Sequence, residues 1–244
     1  MVRHLPDVIL AVFLLALLPG CHPAPDTTEV NYVSYRADPK RQALRLYWRD
    51  AQGHRFGSLG QLGRSLADHG DSLIFAMNGG MFNPTLAPQG LYIEDGRELA
   101  PLDTSSGAGN FYLKPNGVFY LTATGAAGIC PTAAWPPAGR VQFATQSGPL
   151  LVLAGQVHPA FRPGSANVQI RNGVGLLPDG RVLLAMSKTK VNFYDFADYF
   201  RRAGCRTALY LDGFVSRTYA PATGWQQLDG DFGVIVAISA RGAN

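Results

Sequence analysis

The chain has 244 residues, 47% hydrophobic and 16% charged, an ordinary globular composition that allows one sizeable core or two small ones at most. Its formal charge of +4 comes without a dense Lys/Arg run, which argues against nucleic acid and leaves a weak bias toward anionic small molecules. Three cysteines form no CxxC or Cys/His cluster, so a structural zinc site is not expected; no metal ligand and no cofactor are assigned.

Arg3 and His4 precede an apolar run from Val8 to Leu18, followed by Pro19-Gly20-Cys21. The run is too short to span a bilayer and has the shape of a signal peptide, residues 1–20. Leu18-Pro19-Gly20-Cys21 resembles the bacterial lipoprotein box; Gly20 fits and Pro19 departs from it. The expectation is lipidation at Cys21, with 21–29 as a tether holding the protein to the envelope on the periplasmic side. Cleavage without lipidation, giving a soluble periplasmic protein, is the alternative. Cys130 and Cys205 remain, and in an exported chain they are expected to pair in a disulfide.

Residues 30–244 carry no linker and no repeat. Leu44, Leu46 and Trp48 alternate with Arg45, Tyr47 and Arg49, the period of a half-buried strand. Leu59, Leu62 and Leu66 share a helical face, with Gly70 as the stop. Leu73 to Met77 reads as a buried strand that Asn78-Gly79-Gly80 ends abruptly. Glu94-Asp95-Gly96, Pro115-Asn116-Gly117 and Pro178-Asp179-Gly180 are hairpin signals. Leu150 to Leu153 and Val182 to Met186 are continuous apolar runs, as in strands covered on both faces. Asn192 can cap a helix whose stripe is Phe193, Phe196, Ala197 and Phe200, ended by Gly204. Ala208 to Leu211 is a buried strand running into Asp212-Gly213, and Asp231 to Ser239 closes the chain. The predicted fold is α+β: a single sheet-dominated domain of mixed or antiparallel strands with a few packed helices.

Polar groups gather at strand ends: Asn78-Gly79-Gly80, Ser147-Gly148-Pro149, Arg171-Asn172-Gly173, Asp212-Gly213 with Ser216-Arg217, and Ser187 to Lys190. Each has a plain reading as turn or solvated strand exit. Together they fit a site, because an arginine fork matches phosphate, glycine amides can complete a cradle, and a buried aspartate can act as acid, base or nucleophile. There is no G-x-S-x-G elbow and no H-E-x-x-H. His54, His69 and His158 stand isolated, and a spatial Ser–His–Asp triad stays open.

In this order the segments resemble the phosphodiester glycosidase family. Asn78 to Phe82 matches its Asn-Gly-Gly-x-Phe stretch, and Gly90 to Gly96 a glycine-containing segment. Ser147 to Pro149, Arg171 to Gly180 and Leu211 to Ser216 match the later ones, covering roughly residues 72–238. Phe214-Val215-Ser216-Arg217 departs from the family's further glycines and paired serines, and Asn172 stands where threonine is common. The resemblance implies hydrolysis of a sugar joined through its anomeric carbon to a phosphodiester. It implies Asp212 as the catalytic carboxylate, with Arg171 and the Gly79 and Gly80 amides holding phosphate. Asn78, Phe82, Ser147, Asn172 and Ser216 complete the pocket, and Arg217 adds a second phosphate contact. Glu94, Asp95 and Asp103 are candidates for a second carboxylate. The rival readings are a non-catalytic envelope lipoprotein that binds a cell-wall or phosphorylated glycan, and a hydrolase of a peptidoglycan-linked ester or amide.

Overall fold

The computed structural model describes residues 31–242 together with Met1, so the expected signal peptide, tether and Cys21 lie outside the described residues. The chain opens with β1 (Tyr32–Ala37), β2 (Ala43–Tyr47), α1 (Leu59–Asp68) and β3 (Asp71–Gly80). A hairpin, β4 (Tyr92–Glu94) and β5 (Arg97–Ala100), leads to β6 (Gly117–Thr122), β7 (Ala127–Pro131), β8 (Val141–Ser147), β9 (Leu150–Leu153) and β10 (Gln156–Val157). The last part holds β11 (Asn172–Leu176), β12 (Val182–Ser187), α2 (Phe193–Arg202), β13 (Thr207–Asp212), β14 (Thr218–Ala220), β15 (Trp225–Gln226) and β16 (Val234–Arg241).

The strands form three sheets, ordered β1-β12-β11-β13-β9-β10, β15-β14-β3-β16-β2 and β5-β4-β8-β6-β7. Every paired neighbour runs antiparallel. The expected sheet-dominated α+β domain is what the chain builds, with two α-helices among the described residues.

Strand alternation explains how all three sheets share one core. Leu209 and Leu211 of β13, with Val182 and Leu184 of β12, enter a cluster that also takes Leu44, Phe75, Met77, Phe119 and Val236. The alternate residues Ala208, Tyr210, Leu183 and Ala185 face the other way, under Phe196 and Phe200 of α2. The continuous apolar runs are therefore strands covered on both faces. On the second sheet Ala76, Ile235 and Ala237 meet Leu59 and Leu62 of α1.

Both helices start on a capping side chain, the second at the predicted Asn192. Ser58 Oγ accepts from Gln61 N–H at 3.2 Å, and Asn192 Oδ1 from Asp195 N–H at 2.8 Å. Gly70 and Gly204 follow them at φ +79° and +91°, left-handed positions that favour glycine.

Three expectations are corrected. Pro115-Asn116-Gly117 is not a hairpin; it follows a 3-10 turn at Asn110–Tyr112, and Asn116 Nδ2 turns inward to donate to Phe111 O at 3.0 Å. β3 does not stop at Asn78 but continues through Gly80. Cys130 and Cys205 are free thiols. Cys130 packs beside Leu91 and Val118 of the third sheet, whereas Cys205 lies with Phe200 behind the first, so separate apolar clusters hold them apart.

Candidate active site

Two irregular strand pairings build the site. Between β11 and β13, Asn172 pairs with Asp212 and Gly173 with Tyr210, leaving Leu211 as an extra residue. Such a bulge re-aims the side chains around it, and Tyr210 and Asp212 both line one cavity. The displaced Leu211 carbonyl accepts from Ser147 Oγ at 3.1 Å. Between β3 and β16, Val234 pairs with Gly80 and Ile235 with Asn78, so Gly79 is the extra residue there.

A Cβ on Gly79 would lie 2.7 Å from Val236 N, and one on Gly80 2.5 Å from Thr145 Oγ1. Both glycines are thus needed for close packing inside a strand. They are buried in the sheet and do not offer their amides to a phosphate from a loop. What this packing delivers is the wholly buried Asn78.

Asn78 Nδ2 donates to Asp212 Oδ2 at 2.8 Å. Asn78 Oδ1 accepts from Asn172 Nδ2 at 2.8 Å and from Arg217 N–H at 3.0 Å, and its carbonyl accepts from Asn172 Nδ2 at 2.7 Å. These partners leave Asn78 one orientation, with its amide group toward the aspartate. Asp212 Oδ1 accepts from Gly213 N–H at 2.6 Å and Phe214 N–H at 2.8 Å. Burial pushes the Asp212 carboxyl above the ordinary aspartate range, and its hydrogen bonds to Phe214, Gly213 and Asn78 oppose that rise.

Arg171 is wholly buried, and its fork is not turned to the cavity. Nε donates to Val191 O at 2.9 Å, and Nη2 to Asn167 O at 2.8 Å and Asn167 Oδ1 at 3.0 Å. Nη1 donates to Tyr210 OH at 3.0 Å, and the guanidinium lies 3.7 Å above the Phe193 ring. No carboxylate among the described residues forms an ion pair with it. The direct phosphate contact expected of Arg171 is not what the structure presents: four of its five guanidinium N–H groups are engaged by backbone and by two residues that themselves face the cavity, Tyr210 and Asn167, and Arg171 does not line it. Burial raises the Tyr210 phenol well above its usual range, so it stays protonated. Because it accepts from Arg171, its own O–H remains available as a donor. A Cβ on Gly213 would collide with that phenol oxygen, so only glycine fits there.

The cavity has a volume of about 360 Å³. Gln89, Asn110, Asn167 and Gln169 supply amides, Asp212 and Tyr210 the ionisable groups, and Met81, Phe82, Val215 and Phe214 apolar surface. No lysine, arginine or histidine lines it among the described residues.

Of the expected site residues, Asp212, Asn78 and Asn172 form one hydrogen-bonded set, and Phe82 lines the cavity. Ser216 Oγ donates to Ile170 O at 3.0 Å, so like Ser147 it braces backbone and does not line the cavity. Arg217 is bound to Asp229 at 2.9 Å, and only its backbone N–H reaches the set, which corrects its role as a phosphate contact. Ser187 Oγ accepts from Arg171 N–H at 3.0 Å, and the neighbouring lysines lie off the cavity. Glu94, Asp95 and Asp103, the candidates for a second carboxylate, do not line the cavity. Glu94 faces a separate groove with Arg45 and Tyr47, Asp95 sits in the hairpin turn at φ 49°, and Asp103 is held by Ser105 and Tyr112.

Tyr210 and the four amides escaped the sequence reading. Tyr210 lies two residues before Asp212, and Asn167 and Gln169 alternate toward Arg171, so a period of two ending at those residues was an available signal. Gln89 and Asn110 carry no comparable mark.

The profile of the family described as phosphodiester glycosidase matches residues 71–234. The uncharacterized protein YigE of Escherichia coli (strain K12) is 35% identical over 246 aligned positions, 98% of this chain and 94% of that protein. The catalytic domain of zebrafish N-acetylglucosamine-1-phosphodiester alpha-N-acetylglucosaminidase, auto-inhibited by its pro-peptide, superposes with a TM-score of 0.60 at 14% identity. That superposition covers 85% of this chain and 82% of that domain. A Burkholderia pseudomallei K96243 protein whose name marks it as exported gives a TM-score of 0.53 at 14% identity, over 85% of this chain and 73% of that one. At such identity the two structures speak to the fold alone.

Proposed function

The chain belongs to the phosphodiester glycosidase family, and from that premise we propose that it hydrolyses the bond between a sugar's anomeric carbon and a phosphodiester. The observation that carries this reading is the buried Arg171, which has no carboxylate partner and stands behind Tyr210 and Asn167. A buried charge without a counter-ion is unfavourable, and an anion in the cavity supplies the missing one. Both residues accept from the guanidinium, leaving the Tyr210 O–H and the Asn167 Nδ2 amide, polarised by it, to donate to phosphate oxygens.

Asp212 then meets the anomeric carbon or the water that attacks it. Glycosidases ordinarily flank the bond with two carboxylates. Phosphate is a good leaving group, so donors aimed at its developing charge can take the place of a strong acid. Among the described residues Asp212 is the one carboxylate lining this cavity, consistent with that division. Asp212 works ionised, so turnover rises with pH through an acid limb above the ordinary aspartate range.

The test is hydrolysis of a sugar-1-phosphodiester panel, including N-acetylglucosamine-1-phosphodiesters, by the full chain. Wild type turns over at least one member; Asp212→Asn lowers kcat by about a thousandfold, and Tyr210→Phe lowers kcat/KM by about tenfold to a hundredfold. Saturable binding without product, or an Asp212→Asn variant equal to wild type, refutes the reading. We propose further that the chain is exported and lipidated at Cys21. Incorporation of labelled palmitate, lost in Cys21→Ala, checks this.

A further inference from the structure

Asp212 is held from two sheets. Oδ1 lies inside its own turn, where Gly213 N–H donates at 2.6 Å and Phe214 N–H at 2.8 Å. The side chain that donates to Oδ2 comes from elsewhere: Asn78 Nδ2, 2.8 Å away, on β3 of the second sheet. The two oxygens are therefore unlike. Two backbone N–H groups occupy Oδ1, fixed by the chain that follows Asp212, whereas Asn78 places one amide hydrogen on Oδ2. Asp212 lines the cavity with only 7% of its surface exposed, so little of it is offered to a substrate.

Asn78 makes that contact only while its amide keeps one orientation. Turned over, it would set its oxygen against the carboxylate, two acceptors face to face. Asn172 Nδ2 and Arg217 N–H, both donors, hold Asn78 Oδ1 at 2.8 and 3.0 Å and prevent the turn. Asn172 Nδ2 also donates to the Asn78 carbonyl at 2.7 Å. This leaves Asn172 with an orphan: its Oδ1 is the one buried side-chain nitrogen or oxygen without a hydrogen-bond partner among the described residues. Such an atom costs about 1–3 kcal/mol and calls for a reason. Turning the Asn172 amide over gives no relief, because its oxygen would then meet the two Asn78 acceptors. The orphan is destabilising, and it sits on the residue that fixes Asn78.

We infer that Oδ2 is the oxygen Asp212 presents to the anomeric carbon or to its attacking water, and that Asn78, locked by Asn172, is the positioning residue that aims it. This rests on the proposed reading of Asp212 and assigns the supports of the same site. Without the Asn78 amide the charged carboxylate loses a hydrogen bond and one of its anchors, so its proton is held to higher pH and its aim is lost. The other groups stay in place. The Gly213, Phe214 and Val215 N–H groups go on favouring the charged form. Tyr210, bound to Arg171, feels the Asp212 charge; Arg217 is bound to Asp229, and Tyr120 and Cys130 lie in the cluster of Leu91 and Val118. Asp71 sits at the far end of β3, and β8, β9 and β11 carry no titratable side chain.

The experiment follows the full chain and its Asn78→Ala, Asn78→Asp and Asn172→Ala variants by two readouts. One is hydrolysis of the N-acetylglucosamine-1-phosphodiesters of the panel across pH. The other needs no substrate: the carboxyl carbon-13 titration of Asp212, assigned through Asp212→Asn. Asn78→Ala is expected to lower kcat by about tenfold to a hundredfold with KM little changed, and to move the acid limb of kcat/KM up by about one pH unit. Asn78→Asp moves the limb further, since two carboxylates in contact share a proton. Asn172→Ala moves it the same way by less, because Arg217 N–H still holds Asn78. The carbon-13 midpoint of Asp212 shifts in the same order. A kcat that falls with limb and midpoint unmoved assigns Asn78 to the fold alone and overturns the inference, as does a KM that rises while kcat holds. Where Asn78→Ala does not fold, the isosteric Asn78→Asp and the Asn172→Ala chain carry both readouts. No turnover by any chain, with the midpoints shifted in this order, refutes hydrolysis and leaves the Asn78 support of Asp212 standing; turnover with unshifted midpoints does the reverse.

Discussion

Glu94→Gln separates a carboxylate that burdens the fold from one that does chemistry. Glu94 Oε2 accepts from Tyr92 OH at 2.7 Å, and the Trp48 N–H also donates to the carboxylate. Burial nevertheless dominates and pushes its pKa from 4.5 to about 7. The folded chain therefore holds a proton that the unfolded chain has already released. The resulting stabilisation is complete below about pH 4.5 and is lost as pH rises to about 7, so wild-type stability falls across that window. At 1.36 kcal/mol per pK unit the ceiling is roughly 3 kcal/mol. The carboxyl is only partly buried, and solvent screening brings this to about 1–2 kcal/mol. Glutamine is neutral at every pH and keeps both contacts, its carbonyl accepting from Trp48 and its amide donating to the Tyr92 oxygen. Thermal unfolding followed by circular dichroism should place Glu94→Gln about 3–6 °C above wild type at pH 8 and near it at pH 5. Turnover of any working substrate should stay within twofold, because Glu94 does not line the Asp212 cavity. A variant that melts below wild type at pH 8, or differs from it equally at both pH values, refutes the reasoning.

Gly79→Ala forces a Cβ to within 2.7 Å of Val236 N, a backbone atom in a paired strand, and should lower stability in urea by about 1–3 kcal/mol. Gly63→Ala, in α1 with nothing nearer than Leu73 Cδ2 at 3.5 Å, should raise it by about 0.5–1 kcal/mol. Ser147→Ala removes the partner of the buried Leu211 carbonyl and should cost about 1–2 kcal/mol in the same assay. Burial pushes the Cys205 thiol up to about 12, so iodoacetamide at pH 8 should leave it unlabelled in the native chain. A non-reducing peptide map should contain no Cys130–Cys205 pair.

Much of the architecture is legible locally. Both helices announce themselves through apolar stripe and terminal glycine, the second also through its Asn192 cap, and the hairpins at Asp95-Gly96 and Asp179-Gly180 through their turn residues. Asp212, Asn78 and Asn172 stand out as polar groups at strand ends, and the ordered motifs point to the family. These features depend on neighbours in sequence, through backbone dihedral preferences and the periods of helix and strand.

What escaped depends on register and depth. Nothing local says that Arg171 will be enclosed by Phe193, Val191 and Asn167, or that the pairing of β11 with β13 will skip Leu211 and set Asn172 opposite Asp212. Arg217 reads as a phosphate contact until Asp229, twelve residues on, takes its guanidinium. The sequence by itself determined the class of fold, the two helices and which carboxylate to suspect. Only the tertiary structure decided which donors face the cavity, because a side chain's direction follows from strand pairing and from the partners that packing brings to it.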